Sequence, residues 1–423
     1  MPPTTRLLAL YALLFAIGIP PSVGQEEEFR SVELRAQVDE VQPMTGLVLW
    51  SDNDAIDQAP VQLEFAYFNY AQIVTARGTY DWTPLDELLE QVGSRGHQLV
   101  LRWYDTYVGR PTGIPTYVTE LPGYRPTHGE SEGQPTEFPD WSHPEARRFL
   151  FDFFREFATR YDRDPRIAFL QVGFGLWSEY HIYDGPLELG RTFPTLEMQS
   201  DFTRHLESIL PETRWMVSVD AANDWAPFAE SAELLELSFG LFDDSFNHAK
   251  HSEENEPNWN RFGRERWQRA PMGGEFSFFE TADQRRALAP DGPHGTAFET
   301  QAARFHVSFI VGDDQPRFHP FDRLRNAGLA CGYRFRVTRF EASEDASRIE
   351  IENCGIAPIY YDAFPAIDGV RATRSLLGLL PGQRALFEVP AGGQAPKLSI
   401  ECDRLVAGQR IGFEANLKTD RQP

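Results

Sequence analysis

From Thr45 onward the chain alternates between short apolar, strand-like runs and segments with helical periodicity. Alternation of this kind is typical of a parallel sheet with right-handed crossovers, and a strand count near eight favours a closed barrel over an open doubly wound sheet. No glycine-rich dinucleotide motif follows the first run. The pattern predicts an α/β fold, a (β/α)8 TIM barrel over residues 45–332. The predicted strands are Gly46–Trp50, Val61–Tyr67, Gln98–Trp103, Ile167–Phe174, Trp215–Val219, Leu235–Leu241, Met272–Phe276 and Val307–Val311.

Capping signals place several of the intervening helices. Thr83-Pro84 puts a cap residue before a proline at the first helical position, and Ser142-His143-Pro144-Glu145 has the spacing of a capping box. The first crossover is the weakest match, because Ser51–Pro60 is short and polar for a full helix.

The pattern changes near Tyr333, where short alternating strands follow one another without helical periodicity. Turn clusters such as Pro381-Gly382 and Ala391-Gly392-Gly393 separate these strands. Residues 333–423 are therefore predicted to form a small antiparallel β-sandwich. The acidic residues 25–44 are predicted to be a lead-in segment before the barrel.

The first 24 residues have the features of a secretory signal peptide. Arg6 precedes an uninterrupted apolar stretch, Leu7–Ile19, and Ser22-Val23-Gly24 supplies small residues for cleavage. The stretch is short for a membrane span, and no later run resembles one. We expect a soluble protein that is secreted or periplasmic.

Charge and cysteine content exclude several classes of protein. The formal net charge is −23, from 40 basic and 63 acidic residues, which argues against nucleic acid and anionic membranes and disfavours a strongly anionic substrate. Cys354 and Cys402 could pair in the last domain, or all three cysteines, Cys331 included, could be unpaired. His248 and His251 lack the glutamate of a zinc motif. We predict no metal site and no cofactor.

Two glutamates carry the main functional prediction. Ile167–His181 and Ala270–Glu280 are each an apolar run that breaks at glycine and then delivers a carboxylate, Glu179 in the first and Glu275 in the second. Strands of one parallel barrel all end at the same rim. Two carboxylates meeting there are typical of a glycoside hydrolase, with Glu179 as acid/base and Glu275 as nucleophile after Gly273-Gly274, where bare backbone would let a ligand approach.

Other polar and aromatic residues fall at or just past predicted strand ends, where they could bind sugar hydroxyls or stack on sugar rings. For any one of them, a structural role in a salt bridge or in the core is at least as good an interpretation as contact with substrate. The candidates for substrate binding are Arg102, Trp103, Asp105, Trp177, His181, Asp220 and Asp243, with Trp50, Tyr180 and Asp313 as further possibilities.

The segment 106–140, rich in Pro, Gly, Thr and Glu, follows the third predicted strand and has no periodicity. A loop of this length inside a compact barrel is usually either functional or disordered. Because it should overhang the barrel mouth, we favour a cleft wall or lid.

Three stretches resemble known proteins. Tyr80-Asp81-Trp82, with Leu99–Arg102, resembles the second helix and third strand of retaining glycoside hydrolases with clan-A-type barrels. Gly175–His181, GLWSEYH, resembles the G-x-W-G-E-[WY]-H signature of an uncharacterised bacterial family of such barrels. Asn353–Pro358 resembles the N-x-G-x-A-P strand turn of that family's C-terminal β-sandwich. The resemblance covers roughly Thr45–Asn416 and implies retaining hydrolysis of a poly- or oligosaccharide.

The sequence departs from this family pattern at two places. Ser178 stands where clan-A enzymes usually carry the asparagine that binds the sugar 2-hydroxyl, and Thr75-Ala76 stands near the place of a Glu-Pro pair. These departures keep open a non-catalytic carbohydrate-binding or envelope protein on the same barrel. A polysaccharide lyase is a weaker alternative, disfavoured by the acidic charge.

Overall fold

The computed structural model describes residues 28–229, 231–293 and 295–418. The predicted signal peptide, 1–24, lies outside these residues. Within them, no helix combines the length and apolar character that crossing a bilayer requires.

Strands account for the architecture of the first three quarters of the chain. In chain order they are β1 (Arg30–Ser31), β2 (Leu34–Ala36), β3 (Gly46–Trp50), β4 (Leu63–Asn69), β5 (Val74–Ala76), β6 (Thr79–Tyr80), β7 (Gln98–Tyr104), β8 (Thr127–Ser131), β9 (Gln134–Phe138), β10 (Ile167–Gln171), β11 (Trp215–Ser218), β12 (Gly240–Phe246), β13 (Met272–Phe276) and β14 (Phe309–Val311).

Eight of these described strands form a closed parallel barrel, in the order β10-β11-β12-β13-β14-β3-β4-β7. The last strand closes on the first, with Phe309 paired to Gly46, and β7 joins β10 with Leu101 paired to Leu170. The prediction of a TIM-type barrel is therefore confirmed. The structure corrects the predicted sixth strand, Leu235–Leu241, because Ala232–Leu235 forms a short helix and the strand itself starts only at Gly240.

Helices lie between the barrel strands. They are α1 (Thr83–Ser94), α2 (Thr116–Thr119), α3 (Pro144–Tyr161), α4 (Leu196–Ile209), α5 (Ala232–Leu235), α6 (Asn255–Arg261), α7 (Thr281–Arg286), α8 (Phe298–Phe305), α9 (Gln315–Phe318) and α10 (Phe321–Leu329). As the sequence suggested, no helix forms over 51–60 in this described stretch.

Side chains alternate along each barrel strand between the barrel interior and the helix layer. Phe169 and Phe309 stack inside the barrel with ring centroids 4.9 Å apart. Trp103 points the other way and packs against Phe153 of α3, with ring centroids 4.7 Å apart. This alternation decides which residues at the strand ends can face the barrel mouth.

The last part of the chain is built of strands. They are β15 (Phe335–Ala342), β16 (Ser347–Asn353), β17 (Phe364–Ile367), β18 (Val370–Arg371), β19 (Arg384–Val389), β20 (Leu398–Glu401) and β21 (Phe413–Leu417). One sheet has the order β19-β16-β15-β21-β2, with β1 also on β15, and a second has the order β18-β17-β20. The pair β15–β21 is parallel, so the first sheet is mixed.

The predicted lead-in segment contributes to this sheet, a role that the sequence did not suggest. Leu34 pairs with Leu417 and Arg30 with Ala342. Strands of two and three residues are too short to be recognised from periodicity alone. The sandwich arrangement and the domain boundaries stay predictions.

All three cysteines lie in the described part of the chain and are free thiols. Cys331 and Cys402 are buried and Cys354 is partly exposed. Of the two alternatives left open by the sequence, the structure thus has unpaired cysteines.

Candidate active site

A cavity of about 640 Å³ opens at the C-terminal end of the barrel strands. We call it the mouth cavity. Its aromatic wall consists of Trp50, Tyr67, Tyr107, Trp177, Tyr183, Phe278 and Phe279. Its acidic residues are Glu132, Glu179, Asp220, Asp244, Glu254 and Glu275. A concave site with aromatic walls and a few convergent polar groups is the usual form of a ligand pocket.

Glu179 is presented by a strained loop that follows β10. Its neighbours Trp177, Ser178 and Tyr180 all have positive φ, at 53°, 63° and 61°. Such conformations cost free energy for residues other than glycine, and they cluster at functional sites. The loop folds back tightly on Gly173, where a Cβ atom would lie 1.9 Å from the Ser178 carbonyl oxygen.

Hydrogen bonds from β7 and its loop hold this strained segment in place. The Ser178 hydroxyl donates to the Trp103 carbonyl at 2.5 Å, and the Trp177 N–H donates to the Thr106 carbonyl at 3.0 Å. The Asp105 carboxylate accepts from the Gly175 N–H at 3.1 Å. The position of Glu179 is therefore set by two neighbouring strands.

Glu275 lies within β13 and faces the barrel interior. The two glycines before it do not make room for a ligand, which corrects the interpretation from sequence. A Cβ atom on Gly273 would lie 2.6 Å from the Phe309 ring, and one on Gly274 would lie 2.4 Å from the Asp243 carbonyl oxygen. The glycines thus permit close packing between strands.

Arg102 lies beneath both glutamates and is completely buried. Its guanidinium donates to the Glu179 carboxylate, to the Tyr67 hydroxyl at 2.7 Å and to the Gln171 amide oxygen at 2.6 Å. The Phe242 ring centroid lies 4.4 Å from the guanidinium carbon. This arrangement fixes one positive charge at the floor of the mouth cavity.

Burial raises the pKa of both glutamates, although Arg102 opposes the rise at each. The pKa of Glu275 rises from 4.5 to about 7, with the charge of Asp313 adding to the effect of burial. The pKa of Glu179 rises well above its ordinary value through burial and the nearby charge of Asp244. Perturbed carboxyls in one cleft are candidates for acid–base chemistry.

His181 lies between the carboxylates of Glu179 and Asp220. Its Nδ1 lies 2.8 Å from Asp220 Oδ2, and its Nε2 lies 3.6 Å from Glu179 Oε2. Burial alone would lower its pKa, but the Asp220 hydrogen bond and the charges of Glu179 and Asp220 raise it overall. Among the described residues, Glu179, His181 and Asp244 also bring metal-ligand atoms within 4.8 Å of one another.

The structure brings most of the predicted site residues together. Glu179, Glu275, Trp177, His181 and Asp220 line the mouth cavity, and Arg102 is buried beneath it, where it donates to Glu179. Trp50, one of the further possibilities, also lines it.

Four predicted substrate-binding residues do not line the cavity, and the fully buried Arg102 is one of them. Trp103 is buried among aromatic rings of the helix layer, and Asp105 is 1% exposed beneath the Glu179 loop. Asp243 is fully buried and accepts hydrogen bonds from His251, Asn255 and Trp259. Each stabilises the elements around the cavity without facing it. Tyr180 is likewise a core residue, and Asp313 accepts from the Trp50 N–H at 2.9 Å.

Asp244 is the residue that reading from sequence missed most directly. In β12, Phe242 faces the barrel interior beside Arg102, so Asp244, two residues later, faces the same way, and Asp243 faces the helix layer. Strand alternation applied to Gly240–Phe246 would have selected the correct aspartate.

The long segment 106–140 contributes part of the cavity wall, as expected. β8 and β9 form a hairpin whose turn residue Glu132 lines the cavity. The Glu132 carboxylate accepts from the Tyr183 hydroxyl, and the Glu132 backbone N–H donates to the Asp184 carboxylate at 2.6 Å. No sequence signal indicated this hairpin.

Comparisons with known proteins found neither a matching family model nor a matching curated protein. Solved structures with similarity include the galactosidase domain of the alpha-galactosidase-sucrose kinase AgaSK (11% identity, TM-score 0.38, 85% of this chain and 56% of that one). Others are the exo-beta-1,4-mannosidase Op5Man5 from Opitutaceae bacterium strain TAV5 (11%, 0.41, 66% and 53%) and a glucosidase from Croceicoccus marinus (10%, 0.35, 90% and 86%). The chain spans little more than half the length of the first of these. Similarity this weak carries no argument about activity, so the functional argument rests on the site.

Proposed function

We propose that this protein is a glycoside hydrolase that cleaves a poly- or oligosaccharide by a retaining mechanism with two carboxylates. The observation that carries the proposal is that Glu179 and Glu275 line one cavity at the C-terminal end of a closed barrel. Retaining enzymes need one carboxyl as proton donor to the leaving oxygen and a second as nucleophile at the anomeric carbon.

The environments of the two glutamates support distinct roles. Glu179 has the raised pKa that a proton donor requires, and the His181 ring, which is bound to Asp220, lies 3.6 Å from its carboxylate as a neighbouring proton carrier. The Glu275 carboxylate makes no hydrogen bond with a described side chain or backbone group, so its oxygens are free to attack. Above about pH 7 it is ionised, as a nucleophile must be. Once the glycosyl-enzyme forms, Glu179 would accept the proton of the attacking water.

The proposal is tested with nitrophenyl glycosides and a panel of polysaccharides, using the variants Glu275→Ala and Glu179→Ala. We expect roughly 10³-fold or greater loss of kcat for Glu275→Ala, with partial rescue by azide or formate. Glu179→Ala should spare substrates whose leaving groups need little protonation. The matched control is Glu253→Ala, which removes an exposed carboxylate outside the cavity and should retain activity. Turnover that survives Glu275→Ala, or products with inverted anomeric configuration, would contradict the retaining mechanism.

A non-catalytic carbohydrate-binding protein is the second candidate, and Ser178 favours it. Its side chain is fully buried and donates to the Trp103 carbonyl, so nothing at this position reaches into the cavity for a sugar 2-hydroxyl. This candidate predicts saturable sugar binding that Glu275→Ala leaves intact, together with no release of reducing ends from any glycan in the panel.

We also propose that the protein is exported, on the strength of Arg6, Leu7–Ile19 and Ser22-Val23-Gly24. N-terminal sequencing of protein from the native host should start at or near Gln25. Recovery of intact Met1 in the cytoplasm would contradict export.

We further propose that the two C-terminal sheets pack face to face as a sandwich. Buried residues of both, such as Ile349 and Phe387 in the first sheet and Ile367 and Ile400 in the second, belong to one apolar cluster. Burial alternates along β16 and β19, as expected for strands with one covered face.

A further inference from the structure

The mouth cavity is strongly one-sided in charge. Six carboxyl side chains line it, and among its described lining residues there is no lysine or arginine. Two of the six have nearby partners at the rim, since Glu132 accepts from Tyr183 and Glu254 lies 3.7 Å from the Lys250 ammonium. The other four, Glu179, Asp220, Asp244 and Glu275, have the Arg102 guanidinium and the His181 ring near them, and Asp220 also accepts from the Asn258 amide at 3.4 Å.

Asp244 is the least compensated of these four. It makes no hydrogen bond or ion pair with any described residue, whereas Asp220 is bound to His181 at 2.8 Å. Burial and the charges of Asp220 and Asp243 raise the pKa of Asp244 well above its ordinary value. Asp244 is partly exposed to the cavity, and a positive charge bound beside it there would compensate its negative charge.

An unsatisfied nitrogen points to the same place. His181 is 9% exposed, its Nδ1 is occupied by Asp220, and its Nε2 makes no hydrogen bond. In the neutral ring, with the Nδ1 proton donated to Asp220, Nε2 is a hydrogen-bond acceptor, and a cation bound beside Nε2 favours this form over the doubly protonated ring. One acceptor atom each of Glu179, His181 and Asp244 then lies within 4.8 Å of the other two.

The spacing of these acceptors matches one kind of donor. Because the three atoms lie within 4.8 Å of one another, some point lies within about 2.8 Å of all three, which is the length of an ammonium–carboxylate hydrogen bond. An ammonium also supplies three donors, one for each acceptor. A neutral hydroxyl has a single donor and leaves the negative charge uncompensated.

We propose that the mouth cavity binds an amino sugar, with its free ammonium group held by Asp244, Glu179 and His181. This inference deepens the proposed function and rests on it, because it takes the mouth cavity to be the sugar site. The aromatic wall would hold the apolar faces of the sugar rings while the acidic cluster recognises the charge. The substrate class is a glycan that contains sugars with unsubstituted amino groups.

The test compares amino sugars with their neutral counterparts on the full chain carrying Glu275→Gln, which cannot turn over substrate in the proposed mechanism. The probes are glucosamine, galactosamine and mannosamine against glucose, galactose and mannose, by calorimetry at about pH 7, where amino groups of this kind are still mostly protonated and the His181 ring is less protonated than at lower pH. We expect at least one amino sugar to bind about tenfold more tightly than its neutral counterpart.

Two further variants assign the preference to the acidic cluster. Adding Asp244→Asn should remove the preference but retain the binding of the neutral sugar. Adding Glu253→Gln makes the same change of charge at an exposed residue outside the cavity and should leave the preference intact. Thermal unfolding of each variant checks that it is folded.

Several outcomes would overturn the inference. These are equal or weaker binding of all three amino sugars, a preference that persists in Asp244→Asn, and displacement of a bound amino sugar by Zn²⁺ with a rise in Tm that EDTA reverses. The last result would assign the acceptors to a metal ion. Hydrolysis of neutral glycosides that depends on Glu275, without preference for amino sugars, would refute this inference alone. An amino-sugar preference without any hydrolysis would refute the proposed function alone.

Discussion

Two buried glutamates at opposite ends of the same barrel are treated very differently by their surroundings. Glu64, near the start of β4, is fully buried but receives the Arg95 guanidinium through two hydrogen bonds, at 2.8 and 2.6 Å, and His97 Nδ1 at 2.8 Å. The carboxylate of Glu275, at the mouth, makes no hydrogen bond with a described residue. Burial raises the pKa of both, but the partners of Glu64 bring its pKa below the ordinary value, whereas that of Glu275 stays at about 7.

The comparison shows that the partners of a buried carboxylate decide whether it stabilises the fold or stays free to react. In barrels of this type the N-terminal end serves stability, and the C-terminal end carries the active site. A satisfied carboxylate strengthens the fold but has no free electron pair for a ligand. An unsatisfied one weakens the fold and is ready to react, which is the usual trade-off at a functional site.

The largest expected effect is at the N-terminal end of the barrel, where Glu64 lies. Glu64→Gln would leave Arg95 and His97 without their partner, and breaking a buried ion pair in this way should cost about 3–4 kcal/mol at pH 7. Because folding lowers the pKa of Glu64, its contribution is present above the unfolded pKa and is lost as the pH falls through the folded value. Urea unfolding of the variant and the wild type at pH 7 measures the loss. A cost below about 1 kcal/mol would contradict the contrast between the two ends.

The opposite sign is expected at the mouth. Folding raises the pKa of Glu275 from 4.5 to about 7, so the wild type loses stability through this group as the pH rises across that range. Glu275→Gln removes the loss, and the variant should be more stable by about 2–3 kcal/mol at pH 8. The two proteins should be equally stable near pH 4.5. Urea unfolding at both pH values is the measurement, and a variant that is less stable at pH 8 would refute the account.

The same ionisation should appear in catalysis. If Glu275 must be charged to attack, kcat/KM should rise about tenfold per pH unit below pH 7 and then level off. At higher pH it should fall again as Glu179 loses its proton. Asp313→Asn removes a charge that raises the pKa of Glu275, so it should move the rising limb to lower pH, whereas Asp314→Asn should not. A rate that is constant between about pH 5 and 7 would exclude Glu275 as the nucleophile.

Much of the fold was predictable because hydrophobic periodicity is strong where strands are buried on both faces. Seven of the predicted barrel strands overlap observed strands over more than half of their length, whereas the sixth was placed about five residues early. The apolar run Leu234-Leu235 attracted that prediction, because the mouth end of β12 carries Asp243 and Asp244 and looks polar. Polar functional residues at the end of a strand therefore interrupt the apolar pattern by which the strand is recognised.

The candidate site was predictable where chemistry follows a strand directly, as at Glu179 and Glu275. It was not predictable where orientation decides, because adjacent residues of a strand point in opposite directions. Trp103 and Asp243 face the helix layer, while Arg102 and Asp244 face the barrel interior. The hairpin that carries Glu132 depends on contacts across the fold, and neither composition nor periodicity contains that information.

The smallest expected effect is that of removing an exposed apolar side chain at the mouth, compared with removing one elsewhere on the surface. Phe279 is 69% exposed on the loop after Glu275 and lines the mouth cavity, so a ligand bound there would cover its ring. Phe279→Ala should lose about 1 kcal/mol of apolar contact, which is roughly a fivefold rise in KM with little change in kcat. Leu386, 46% exposed on β19, is the control, since its removal should leave both constants unchanged. Steady-state kinetics on an oligosaccharide long enough to reach the rim would measure both variants. An unchanged KM for Phe279→Ala would mean that the ligand does not extend to this side of the mouth, and that the exposed ring there has no more functional significance than an apolar residue on the C-terminal sheet.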